Sequence, residues 1–179
     1  MKHFVILALG LAISAASVGQ GGFWRDPQGN PAPETEARRS LNGLGGWLLV
    51  TSDANWREKW DTPSNTVPNF KEAKTVGRGE KAFVLAFFAN PKVTSEGRAD
   101  VTCDLDVTRP DGTNSIHQTD VVCFRGTIKG SPYNMYLSAP VIGFVGEASD
   151  PAGSWVVRVS LKDNLRNTVL PLKTSFTLE

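Results

Sequence analysis

The sequence predicts an all-β protein folded as an antiparallel sandwich of about seven strands. The first observation behind this is strict alternation. In residues 99–108, Val101, Cys103, Leu105 and Val107 fall on one side and Thr102, Asp104, Asp106 and Thr108 on the other. A period of two with one polar face describes a half-exposed antiparallel strand. Residues 154–161 repeat the pattern, with Trp155, Val157, Val159 and Leu161 inward and Ser154, Val156, Arg158 and Ser160 outward. The second observation is the run AFVLAFFA at residues 82–89, apolar on both faces as in a central strand covered on two sides. The third is punctuation. Pro110-Asp111-Gly112 and Asp150-Pro151-Ala152-Gly153 are tight turns, in which Pro presets φ and Gly accepts a positive φ.

The elements follow in order along the 179 residues. Residues 1–19 read as a signal peptide: Lys2, then the apolar run FVILALGLAISAA, then small residues fitting cleavage after Ala16 or Gly19. The run is shorter than the ~20 apolar residues a membrane span needs. Residues 20–45 are rich in Gly, Pro, Gln and Glu, with only Phe23 and Trp24 large and apolar. They read as a flexible leader with room for a helical turn over 34–41. The domain proper is expected over residues 46–179. Its first strand is WLLVT at 47–51, followed by one short helix at 54–60 with Asp53 in the capping position. Residues 61–80 read as a long polar loop. After the strand at 99–108, a return strand lies within 115–124, and 126–132 breaks the chain. Residues 134–145 form a strand interrupted at Pro140, and 164–167 turn the chain into a last strand or strand pair over 168–178.

Composition limits the function classes. There are 19 Lys and Arg against 18 Asp and Glu, and loss of Lys2 with the signal peptide brings them to parity. No basic cluster points to nucleic acid or to an anionic membrane surface. Cys103 and Cys123 are the only cysteines. In an exported protein such a pair is expected to form a disulfide, the alternative being two buried thiols. A simple hairpin about Asp111-Gly112 sets Asp120 opposite Cys103, so the bond requires a bulge or an irregular return. Two Cys and the single mature histidine, His117, fall short of a zinc set, so no metal or cofactor is expected.

The segment Asp150-Pro151-x-Gly153-x-Trp155-x-Val157-x-Val159-x-Leu161-x-Asp163, ending in Thr174-Ser175-Phe176-Thr177-Leu178, resembles the closing strand pair of bacterial immunoglobulin-like and fibronectin-like modules. Arg109-Pro110-Asp111-Gly112 is similar to their hairpin turns, and the mature chain resembles exported proteins of Gram-negative bacteria. The resemblance implies an immunoglobulin-like sandwich, carries no catalytic residues, and leaves function open because this architecture hosts many.

Candidate sites are few. His117 stands past a hairpin turn with no Gly-flanked serine, which reads as a surface histidine rather than part of a catalytic triad. Asp104, Asp106 and Asp120 read as a solvated strand face rather than a calcium or acid–base site. Trp56 and Trp60, one helical turn apart, are the candidate binding surface for a sugar or peptide; the alternative is that they plug an open end of the sandwich. The expected function is that of a non-enzymatic periplasmic or secreted module recognising another envelope protein or peptide. The alternatives are an immunity protein neutralising a periplasmic toxin and an envelope hydrolase acting on sugars or peptides.

Overall fold

The computed structural model describes residues 23–25, 28–63 and 68–179. The expected signal peptide and both expected cleavage sites lie outside the described residues. Within them the chain forms β1 (Arg38–Leu41), β2 (Leu44–Thr51), α1 (Trp56–Trp60), β3 (Thr75–Val76), β4 (Lys81–Ala89), β5 (Arg98–Thr108), β6 (Asn114–Thr127), β7 (Met135–Leu137), β8 (Ile142–Val145), β9 (Gly153–Asp163) and β10 (Thr168–Leu178). Two five-stranded sheets result. The first runs β1-β2-β4-β7, with β8 also paired to β4; the second runs β3-β10-β9-β5-β6. Apart from the two-residue β3, which visits the second sheet between β2 and β4, the chain changes sheet between β4 and β5, between β6 and β7, and between β8 and β9. Counting β7 and β8 as one, the main strands divide in an immunoglobulin-like manner, with the third, sixth and seventh (β5, β9 and β10) in one sheet and the fourth, β6, joined to them. The strands number ten rather than about seven. Pro140 splits the 134–145 strand into β7 and β8, and short edge strands β1 and β3 lie where a leader and a loop were expected.

Alternation places the core. Val101, Cys103, Leu105 and Val107 of β5 and Trp155, Val157, Val159 and Leu161 of β9 meet Leu48, Val50, Val84, Ala86 and Phe88 of the first sheet. Trp155 is 1% exposed, stacks parallel to Phe176 and meets Phe144 edge-on. Its indole N–H donates to the Pro151 carbonyl at 3.1 Å, the partner a buried indole needs. The sheets approach tightly at Gly46, where a Cβ would stand 2.8–3.0 Å from methyls of Leu170, Leu161 and Leu172. Strand β4 is apolar on both faces because both are covered. Ala82, Val84, Ala86 and Phe88 enter the core, while Leu85 and Phe87 lie in a second apolar cluster outside it.

The segment expected to be a flexible leader is partly built into the domain, and no helical turn forms at 34–41. Arg38–Leu41 pairs antiparallel with β2 through the two-residue turn Asn42-Gly43. Asn42 has φ 50° and Gly43 φ 84°, the positive pair that an Asn-Gly hairpin turn requires. Just before it, the Ala37 carbonyl accepts from the Leu48 amide of the first sheet and the Glu36 carbonyl from the Lys173 amide of the second. The leader thus joins the two sheets along one side.

The β5–β6 hairpin resolves the register problem posed by the cysteines. The pairing shifts three times, between Val101 and Thr102, between Cys103 and Leu105, and between Val107 and Thr108. Cys103 therefore faces Val121 rather than Asp120, and the extra residues of β6 are absorbed in bulges, one at Asp120 with φ 54°. Cys103 and Cys123 are joined in a disulfide with their Cα atoms 5.8 Å apart. Both sulfurs are buried and pin the edge strand β6 to the sheet.

Candidate binding surface on the outer face of the first sheet

Outward-facing side chains make the two exteriors of the sandwich unlike. On the second sheet they are mostly charged and polar, with the apolar Val156, Val169 and Pro171 among them. On the first, Leu49, Leu85 and Phe87 point outward, and apolar side chains there must find cover or stand exposed. Cover comes from α1, a five-residue helix that lays Trp56 over Phe83, with ring centroids 6.0 Å apart, and Trp60 over Phe87 at 5.1 Å. Trp47 stacks on Phe87 at 5.2 Å, and Phe70 from the following loop sits 5.8 Å from the same ring. The two tryptophans found in the sequence are thus brought together, on the outside of a sheet rather than in an open end of the sandwich.

Their exposures differ. Trp56 is 7% exposed, and the Arg57 guanidinium lies over its ring at 4.7 Å. Trp60 is half-buried, as are Trp47, Phe70, Phe83, Met135 and Leu137 around it. The sequence alone does not single out these neighbours: Trp47 and Phe83 belong to strands whose outer face it leaves unassigned, and Phe70 lies in the polar segment 61–80.

Asp53 fastens the cover without capping the helix. The residue before α1 is Asn55, and no side chain caps it. Asp53 instead accepts from the Lys71 amide at 2.7 Å and pairs with Lys59 at 2.8 Å, tying the return of the loop to the helix. Desolvation raises the Asp53 carboxyl, but the Lys59 and Lys71 hydrogen bonds outweigh it and hold the group below the ordinary carboxylate value.

The other sequence candidates lie on the second sheet and at its edge. His117 is exposed on β6, with Nδ1 2.6 Å from Asp106 Oδ1. Asp104 and Asp120 are drawn together by Lys162, whose ammonium stands 2.6 Å from one carboxylate and 2.7 Å from the other. The Asp120 amide also donates to Asp104 at 3.0 Å, so the trio clasps the bulge. Burial raises Asp104, yet the hydrogen bonds from Lys162 and the Asp120 amide more than offset it and leave the group lowered. The same two carboxylates raise Lys162.

No protein-family model matches the chain, and no curated protein matches its sequence. Among solved structures it is similar to a Niemann-Pick type C2 protein from the Japanese carpenter ant, at 12% identity over 74% of this chain and 89% of that one, with a TM-score of 0.39. A CARDB domain from Pyrococcus furiosus, solved with two metal ions, is similar at 9% identity over 83% of this chain and 99% of that one, TM-score 0.40. A family 123 glycoside hydrolase from Clostridium perfringens is similar at 8% identity over 75% of this chain and 27% of its own, TM-score 0.43. Likenesses this loose carry no function across.

Proposed function

We propose that the protein is a non-enzymatic binding module, exported to an oxidising compartment, and that the aromatic outer face of its first sheet takes an apolar segment of another envelope protein or peptide. One observation carries this reading. The face holds Trp47, Trp60, Phe70 and Phe83 in one cluster, each only partly buried, and the helix above it is only five residues long. A contiguous apolar patch on an otherwise polar module marks an interaction site. Aromatic side chains suit one, because they combine large contact area with little conformational entropy to lose. The Cys103–Cys123 bond supports the oxidising compartment. In keeping with a non-enzymatic role, the cysteines are bonded to each other, and His117 is turned to solvent beside Asp106, away from the aromatic face.

The test is capture of envelope proteins by the purified protein and by a Trp60→Ala/Phe70→Ala variant, with thermal unfolding measured on both. A partner retained by the parent and lost by a variant of similar thermal midpoint is the expected result. A partner retained equally by both would place recognition elsewhere.

A further inference from the structure

The outer face of the second sheet carries a separate cleft of about 250 Å³, floored by β9 and β10 and walled on its far side by the segment leading into β1. Its chemistry is set by one transverse row of side chains. Lys173 of β10 lies directly opposite Arg158 of β9, and Arg158 lies directly opposite Asp106 of β5. Like charges opposite one another across a strand pair are destabilising unless countercharges are supplied. Lys173 has one, with Glu36 Oε2 at 3.1 Å. Arg158 does not. Asp106 is paired with His117, and among the described residues Arg158 forms no ion pair; its side chain donates one hydrogen bond, to Thr108 Oγ1 at 3.4 Å. From the opposite wall Arg39 lines the same cleft, and among the described residues it too forms no ion pair and no side-chain hydrogen bond. Ser160, the next residue of β9 on the same face as Arg158, also lines the cleft.

Two guanidinium groups and a hydroxyl therefore line one small cleft from two walls, and the two carboxylates that also line it, Glu36 and Asp106, are already paired with Lys173 and His117. A single planar carboxylate can satisfy one fork edge-on. Donors arriving from separate elements match an acceptor with oxygens in several directions. We propose that this cleft binds a tetrahedral oxyanion, the phosphate or sulfate group of a small ligand, with Arg158 and Arg39 as its forks and Ser160 as the third donor. The site is independent of the aromatic face, which lies on the other sheet.

The probe is inorganic phosphate, titrated into purified protein at low ionic strength while the arginine Nε–Hε resonances are followed by NMR. Parallel titrations use sulfate and acetate. The expected result is saturable displacement of the Arg39 and Arg158 signals, with half-saturation on the order of 1 mM. Arg158→Gln and Arg158→Lys should each weaken binding by about tenfold, the second because an ammonium keeps the charge and loses the fork. Lys74→Gln, an exposed lysine outside the cleft, should leave binding unchanged. Tighter phosphate than sulfate identifies a phosphorylated ligand, and the reverse a sulfated one. Shifts that never saturate, an Arg158→Lys variant that binds like the parent, or acetate bound as tightly as phosphate overturns the proposal.

Discussion

Asp163 is 1% exposed, and a carboxylate so buried must be surrounded by donors. Those donors also tie three turns together. The Lys92 amide donates at 2.7 Å, the Arg166 amide at 3.0 Å and Arg166 Nε at 3.2 Å. The Arg166 guanidinium continues to the carbonyls of Asn42 and Asn90 at 2.7 and 2.8 Å. Arg166→Ala leaves the carboxylate short of a cation and orphans both carbonyls. It should cost about 3 kcal/mol, the lower range for breaking a buried pair, measurable as a lowered urea midpoint. The Lys162 clasp behaves differently because it is partly exposed. Asp104 is lowered in the fold, so its contribution is present above the unfolded carboxylate value and is lost as pH falls through the folded one. Replacing Lys162 by Met should therefore lower the thermal midpoint near pH 6. The gap between variant and parent should close as the pH is taken down to about 2. A gap that persists in acid would mean that Lys162 stabilises by packing alone.

At the scale of elements, β6 is a 14-residue edge strand that is mostly exposed, and such a strand needs fastening and some protection against unwanted pairing. The disulfide supplies the first and the bulges the second. Closing a separation of 20 residues contributes roughly 3 kcal/mol in the chain-entropy view, so reduction should lower the unfolding free energy by about that amount. Unchanged stability after quantitative reduction would show that the β5–β6 pairing already holds the edge. The need for a bulge was legible from Cys103, Cys123 and the Asp111-Gly112 turn alone, because the arithmetic of a simple hairpin fails for them. Strands β5 and β9 were legible because one face is core and the other solvent, and the side-chain period reports that directly. Strand β1 was not. Its RRSL carries no apolar face, and the informative signal lay in the two residues after it. Asn42-Gly43 is a strong hairpin signal, obscured by a neighbourhood whose overall composition reads as disorder. Of the candidate surface, Trp56 and Trp60 could be found by their helical spacing. Trp47, Phe70 and Phe83 could not, since only the fold shows that the sheet's outer face gathers them.

At the scale of the whole molecule, the apolar residues fall into two clusters separated by the first sheet, and they need not unfold together. The larger lies between the sheets and is locked by long antiparallel ladders on both sides. The smaller consists of Leu49, Trp56, Leu85 and Phe87, centred on a helix of only five residues whose ends are closed by the Lys59 amide to the Asn55 carbonyl at 3.1 Å and the Asp61 amide to the Arg57 carbonyl at 2.8 Å. A five-residue helix has almost no stability of its own, so it persists through what its tryptophans bury. Removing Trp56 should therefore release the helix while the sandwich stands, a local opening rather than a global one. In Trp56→Ala, amide exchange at Lys59 and Asp61 should rise toward the rate of an open chain, while the amides of β9 stay protected and the main thermal transition moves little. Trp155→Ala empties the other cluster and should cost about 3–5 kcal/mol across the whole domain, speeding exchange in both sheets together. If Trp56→Ala instead lowers protection in β9 as much as in α1, the two clusters form one cooperative unit. The aromatic face would then be part of the core's stability rather than a surface that can be altered on its own.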